Sequence, residues 1–371
     1  MHIIFLIKGS LEKNVPIINQ ITVALDKKHR VSVICTDCQK KLLEMLEEKG
    51  AEVHCSMHAV FGISVVKKAT DWLGVRKQFF KILGMIHKEG DVLYVGSLDT
   101  ALAMGNRLTK FKYILHIREL YDKYPQYLRL LQPIAQSARV VIVPEYCRAA
   151  MLKCWLRLNR SPVVIPNKPY KHPREKNLTI DSKEIESLVN NLCDKKIIIY
   201  QGNISRDRDI KALVGAILNN NDGKKFALLL MGTNHGNYLE EIKKEYPEIY
   251  YINYVPAPFH LQITSHAYMG LVTYDDSCLN NMFCAPNKIY EYCGFGIPVL
   301  GRDIPGLKYT IDYYKAGLCV DFSDNQAVQK AIKEIDANYL EYSSRANAFY
   351  DSIDIGTLFD NMIHIAQGYE L

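Results

Sequence analysis

Short apolar runs alternate with amphipathic stretches along the whole chain. His2 to Ile7, Arg30 to Cys35 and Ala51 to Cys55 read as strands. Helical patterns over about 14–28 and up to Lys49 separate them, and Gly50 ends the second helix. The series continues with Asp91–Gly96, Tyr113–Glu119, Arg139–Val143 and Pro162–Asn167, a helix from Glu145 to about Leu158 preceding the last. Strands alternating with helices predict a parallel sheet. Residues 168–194 are polar and rich in Pro, Lys and Glu, so they read as a linker with a short helix. A second series then opens at Lys196–Asn203. It runs through a helix at 210–218 and strands at 226–232, 250–255, 269–274, from Pro298, and at 317–322, with helices beyond Asp324.

The length of 371 residues suits two domains, expected at 1–168 and 195–345. With 48% hydrophobic residues each can bury a core. No run approaches the ~18 apolar residues of a membrane span. The apolar start, ended by Lys8, is expected to be a buried strand rather than a signal peptide. Ten scattered cysteines suggest a reducing, cytoplasmic setting, and Cys35-Thr36-Asp37-Cys38 lacks the second pair that a zinc site needs. Charge is uneven. Residues 1–165 hold 25 Lys and Arg against 14 Asp and Glu, a balance of +11, whereas the remainder holds 21 against 26, a balance of −5. An anionic partner is therefore expected for the first half.

Residues 284 to 303, CAPNKIYEYCGFGIPVLGRD, concentrate the chemistry. Asn287 is expected to cap a helix over 288–295, with Gly296 ending it before a buried strand. A helix N-terminus with free N–H groups suits a phosphate, and Lys288 adds a full charge in the first turn. Glu291 lies a turn further on, where a carboxylate can accept from the two hydroxyls of a diol. Phosphate donors and a diol acceptor one turn apart describe a nucleotide.

The stretch Pro286 to Leu300 resembles the nucleotide-sugar-binding helix of glycosyltransferases with two Rossmann-like domains, the GT-B fold, and most of all the family-4 type that builds bacterial surface polysaccharides. The Val164–Asn167 run, V-I-P-N, resembles that family's exit from the first domain. The resemblance implies an α/β fold of two Rossmann-like domains with parallel sheets facing across a cleft. It also implies that 346–371 crosses back onto the first domain, with 355–369 as the crossing helix. By resemblance Glu291 takes the donor ribose, with Pro286 and Asn287 opening its helix. Phe283 stands where the family has a first Glu that contacts the donor sugar. Gly202 to Arg208 resembles the family's G-R-x-x-x-x-K: Gly202 is kept, Asn203 replaces the Arg, and Arg208 takes the Lys position as a diphosphate ligand. Val255 and Pro256 match the loop that touches the base. His116 matches a histidine near the donor sugar, on the strand end that also carries Arg118 and Glu119. From the residues themselves, Gly9, at the end of the first strand, lets backbone approach a phosphate.

These readings predict a hexosyltransferase, retaining and needing neither cofactor nor metal. Arg208, Lys288 and the helix N-terminus would stabilise the leaving diphosphate, and His116, Arg208 and Lys288 are the catalytic candidates. The expected partners are a nucleotide-diphosphate sugar and a glycan or polyprenyl-linked acceptor, with no nucleic acid. A sugar-nucleotide epimerase on the same fold and an inactive nucleotide-sugar-binding subunit are the alternatives. Residues 64–88 interleave Trp72, Phe79, Phe80, Leu83 and Ile86 with Lys67, Lys68, Arg76, Lys77, Lys81 and Lys88. That pattern fits either a helix packed on its own sheet or one lying in an anionic membrane surface, which would make a cytoplasmic protein peripheral to the membrane.

Overall fold

The computed structural model describes residues 1–56, 64–208, 210–219 and 225–368, without the side chains of 64–66 and 207. The chain divides into two compact units: residues 1–170 with 354–371, and residues 171–353.

The first unit is built on β1 (His2–Ser10), α1 (Val15–Asp26), β2 (Arg30–Asp37), α2 (Lys40–Glu48), β3 (Ala51–Cys55), α3 (Ser64–Ile86), β4 (Val92–Val95), α4 (Leu98–Met104), β5 (Tyr113–His116), α5 (Pro125–Ser137), β6 (Val140–Val143), α6 (Tyr146–Trp155) and β7 (Val163–Val164). The strands form one parallel sheet in the order β3-β2-β1-β4-β5-β6-β7. Strand order reverses direction at β1 and β4, so their carboxyl ends border the crevice where such sheets take ligands. Runs such as Ile3–Ile7 are apolar at every position because helices cover both faces of the sheet. Cys35 and Cys55 stand opposite each other on β2 and β3, their sulfurs 3.7 Å apart as free thiols.

The second unit runs through α7 (Lys183–Asn190), β8 (Lys196–Gln201), α8 (Ile210–Leu218), β9 (Phe226–Met231), α9 (Tyr238–Glu245), β10 (Tyr250–Ile252), α10 (His260–Thr264), β11 (Met269–Val272), α11 (Leu279–Met282), α12 (Asn287–Gly294), β12 (Val299–Arg302), α13 (Pro305–Leu307), a π-helical turn Lys308–Asp312, β13 (Gly317–Val320), α14 (Asn325–Ala337) and α15 (Tyr339–Asp351). Its parallel sheet has the order β10-β9-β8-β11-β12-β13, with the switch point between β8 and β11. Alternate residues of one strand serve opposite cores. Ile197 and Ile199 of β8 pack with Ile289 of α12 and Phe349 of α15, whereas Ile198 and Tyr200 pack with Leu213 of α8 and Val328 of α14.

The return to the first unit begins at Asp354, later than the expected 346, because α15 runs to Asp351 and buries Ala346, Phe349 and Tyr350 in the second unit. The last helix, α16 (Ile355–Gln367), buries Phe359 and Met362, and its Asp360 Oδ2 lies 2.6 Å from Lys27 Nζ.

On α3, the aromatic half of the membrane-facing pattern does not hold. Phe79 and Leu83 point into the first unit's core, Phe80 stacks on Phe111, and Trp72 Nε1 donates to Asp99 Oδ1 at 2.8 Å. Helical periodicity alone cannot choose between a sheet and a lipid surface as the partner of an apolar stripe. Lys67, Lys68, Lys77, Lys81 and Lys88 remain exposed, with Leu73 and Met85 among them, whereas Arg76 turns in to the Leu102 and Ala103 carbonyls. Among the described residues no helix is long and apolar enough to cross a membrane.

Candidate functional site

Helix α12 starts one residue earlier than expected. Pro286, buried at φ −75° and ψ 140°, is the N-cap, and Asn287 is the first helical residue rather than the cap. Proline has no side-chain acceptor, so the N-cap residue makes no side-chain cap bond. The first-turn N–H groups therefore receive no bond from the N-cap side chain. At the other end the expected stop is in place. Gly296 adopts φ +65° and Ile297 N–H returns to the Tyr292 carbonyl, as in a Schellman closure.

Two cations gather beside this helix. Lys288 is half-buried, its Nζ 4.9 Å from the Tyr200 ring and 5.8 Å from the Tyr274 ring, and Arg208 lies over Tyr274 at 4.4 Å. Among the described residues no carboxylate lies within ion-pair distance of Lys288. Burial, and then the neighbouring charge of Arg208, push the Lys288 ammonium down to about 8, against weaker support from Glu291. An ammonium held this way is short of negative charge. Gly202 makes the arrangement possible: at φ +142° it stands where a Cβ would lie 2.7 Å from Lys288 Nζ. Gly232 is needed one strand over, because its Cβ would meet the Gly202 carbonyl oxygen at 1.8 Å. Asn203 is exposed and contributes its carbonyl, which accepts from Tyr200 Oη at 2.8 Å. The Asp207–Arg208–Asp209 loop is seen only in part: Asp209 and the Asp207 side chain lie outside the described residues.

Glu291 is 5% exposed, and both its oxygens meet protein donors. Gln201 Nε2 donates to Oε2, and His260 Nε2 lies 3.2 Å from Oε1. Thr264 Oγ1 donates to Gln201 Oε1 at 2.8 Å and so fixes which end of that amide faces Glu291. His172 Nε2 donates to the Glu291 carbonyl at 3.0 Å and packs its ring against Phe295 and Tyr350. Burial alone would raise the Glu291 carboxyl. His260, through charge and hydrogen bond, and then Lys288 and His172, outweigh it and hold the group below its usual range. Each oxygen keeps a second lone pair, so the carboxylate can still accept from a ligand.

No protein-family profile matches the chain, and neither does any curated protein. Solved structures do. Anabaena Alr3699/HepE in complex with UDP and glucose aligns over 99% of both chains with a TM-score of 0.71 at 14% identity. A glycosyltransferase from Rickettsia africae covers 99% of this chain and 97% of its own, with a TM-score of 0.71 at 13% identity. WaaG, a glycosyltransferase involved in lipopolysaccharide biosynthesis, aligns over 100% of both chains with a TM-score of 0.64 at 14% identity. The fold is GT-B.

Within this GT-B chain the second unit brings together Gly202, Arg208, Pro286, Asn287, Lys288 and Glu291 at the β8–β11 switch point. Val255 and Pro256 do not join the cation pair. Val255 packs on the core beneath, and Pro256 C=O accepts from the amide of His260, so that loop delivers His260 to Glu291. Gln201, His260, Thr264, Tyr200 and Tyr274 were not singled out from the sequence. Gln201 and Tyr274 had a signal, since each follows or ends a strand beside the switch point.

The GT-B first unit holds the other two candidates. Gly9, at φ +113°, donates its N–H to Thr36 Oγ1 at 2.8 Å, which engages the group expected to meet a phosphate. His116 is 2% exposed. Its Nδ1 pairs with Tyr94 Oη at 3.0 Å, and its Nε2 is sealed from solvent with no partner among the described residues. Burial, reinforced by the charge of Arg118, holds the imidazole well below its ordinary value and therefore neutral.

Proposed function

We propose that this protein is a glycosyltransferase that takes a hexose from a nucleoside diphosphate sugar held on the second unit. The observation that carries the reading is the Arg208–Lys288 pair on the Tyr274 ring beside the uncapped start of α12, with an ionised Glu291 one turn on. Two cations and a helix N-terminus match a diphosphate, and a carboxylate at that spacing matches a ribose diol. The HepE complexes with UDP and with UDP-glucose support a uridine diphosphate sugar as the donor class.

In the reaction the bond from the anomeric carbon to the β-phosphate oxygen breaks, and a new bond forms from that carbon to an acceptor hydroxyl. The hydroxyl proton passes to the departing diphosphate. Arg208, Lys288 and the α12 N–H groups are placed to stabilise the charge that grows on that leaving group, with no metal or cofactor required by the donor set. We read the transfer as retaining, with the leaving phosphate assisting removal of the acceptor proton. The acceptor is a glycan or a lipid-linked saccharide of a bacterial surface polysaccharide. Exposed lysines along α3 suit a cytoplasmic protein that approaches an anionic membrane through electrostatics.

Incubation with a panel of nucleotide sugars, with and without a cell-envelope lipid fraction, tests the reading. Release of nucleoside diphosphate that requires the lipid fraction is expected. Failure of any nucleoside diphosphate to bind overturns it, and turnover of the sugar nucleotide without acceptor points instead to an epimerase.

A further inference from the structure

Beyond the carboxyl end of β5 the first unit carries a guanidinium with no anionic partner of its own among the described residues. Arg118 is half-buried, and among those residues one of its five N–H donors has an acceptor: Nη2 donates to Asn14 Oδ1 at 2.6 Å. That acceptor is uncharged. Nε is sealed from solvent and unpartnered, and burial pulls the Arg118 pKa down. The surrounding carboxylates are engaged elsewhere. Glu119 lies 3.5 Å from Arg148, Glu145 caps α6 by accepting from Cys147 and Arg148 N–H, and Asp99 takes Lys8 and Trp72.

Two neighbours add to this. His116, two residues before Arg118, is almost wholly buried with an unused Nε2. Asn14 occupies the N-cap of the 12-residue α1, yet its side chain bonds Arg118 and the Ser10 carbonyl, leaving α1 with no side-chain cap. A counter-ion-free arginine, a spare imidazole nitrogen and an uncapped helix start all favour one chemistry, a planar or tetrahedral oxyanion.

We propose that Arg118, His116 and the start of α1 form an oxyanion subsite that takes a phosphate or carboxylate group of the acceptor. A small rotation of Arg118 away from Asn14 presents Nε and Nη2 as a fork to the anion. The choice of acceptor rests on the first unit being the acceptor side of a glycosyltransferase; the anion site itself does not.

The test uses the full chain carrying Arg208→Ala and Lys288→Ala, so that the second unit no longer competes for anions. Inorganic phosphate, a hexose 6-phosphate and a hexuronate are titrated by calorimetry. At least one should bind, and adding Arg118→Gln should weaken it tenfold or more. Asn14→Asp, which sets a carboxylate on Arg118 from within, should weaken it equally while leaving the melting temperature unchanged or higher. This second variant decides the matter if Arg118→Gln fails to fold. The hexose phosphate and hexuronate arms distinguish a phosphorylated from an acidic acceptor. No binding of any probe, or binding that survives Asn14→Asp, overturns the subsite. Nucleoside diphosphate binding to the unmodified chain is measured alongside: its absence defeats the transferase reading and leaves the subsite standing, and the converse result does the reverse.

Discussion

Lys288 and Arg208 share one aromatic ring. Tyr274 lies 4.4 Å from the Arg208 guanidinium carbon and 5.8 Å from Lys288 Nζ, and its electron-rich face tempers the repulsion between the two cations. A diphosphate would relieve what the ring only moderates. Replacing either cation by Ala should therefore weaken a nucleoside diphosphate by about 1.5–3 kcal/mol, the range for charge-assisted hydrogen bonds. The bare nucleoside should be almost unaffected. Equal losses for both ligands would show that the residues serve something other than phosphate.

The depressed Lys288 makes binding pH-dependent. In the free protein its ammonium loses the proton near pH 8, and bound diphosphate would restore the charge. Diphosphate affinity should thus fall as pH rises above about 8, by up to tenfold per unit, with proton uptake visible as a buffer-dependent heat. The nucleoside should show neither effect, and Lys288→Arg should abolish both because arginine does not titrate there. For stability the sign is opposite. A lysine whose folded pKa lies below its unfolded value of ~10.4 costs stability below pH 8, and that cost fades as pH rises from about 8 toward 10.4.

Glu291 offers a second titration, in the acid range. Its folded pKa is depressed, so its contribution to stability is present above the unfolded pKa of ~4.3 and disappears as pH falls through the folded value. Glu291→Gln should remove that segment of the acid-unfolding profile, keep the fold, and weaken nucleotide binding by ~1–3 kcal/mol. Calorimetry showing unchanged affinity would defeat the ribose assignment.

Membrane docking through α3 would rest chiefly on its exposed lysines. The protein should sediment with anionic vesicles at low salt and return to the supernatant at 1 M, where the Debye length is ~3 Å. Lys67→Gln with Lys68→Gln and Lys81→Gln should weaken sedimentation. Phe79→Ala should instead cost about 3–5 kcal/mol of stability, as a buried aromatic does, while a folded fraction still binds vesicles. Absence from the pellet at low salt would point to a soluble acceptor.

The strands of both sheets were readable because each is covered on two faces, so Ile3–Ile7 or Ile197–Tyr200 show as unbroken apolar runs. Lys288 and Glu291 were readable because one helix sets their spacing. The helix starts one residue before the position that asparagine's capping preference favours, because the preceding proline has the fixed φ that suits the N-cap. The polar ring around Glu291 was not readable. Gln201 comes from 90 residues earlier, and Thr264 meets Gln201 across 63, so only the packing of α10 and α12 at the end of β8 assembles them. The direction of Phe79 was likewise decided by tertiary packing, not by period.

The first unit is assembled from two separated pieces of chain, and α16 supplies Phe359 and Met362 to its interior. During synthesis, residues 1–170 leave the ribosome long before residues 354–367 exist. The continuous span 171–353 is made in between. The part made first is thus the part completed last, and until α16 arrives it presents an unfilled apolar seam beside α1. A nascent-chain protease assay should find residues 1–170 sensitive until α16 emerges, and an isolated 1–170 fragment should need α16 added as a peptide to become compact.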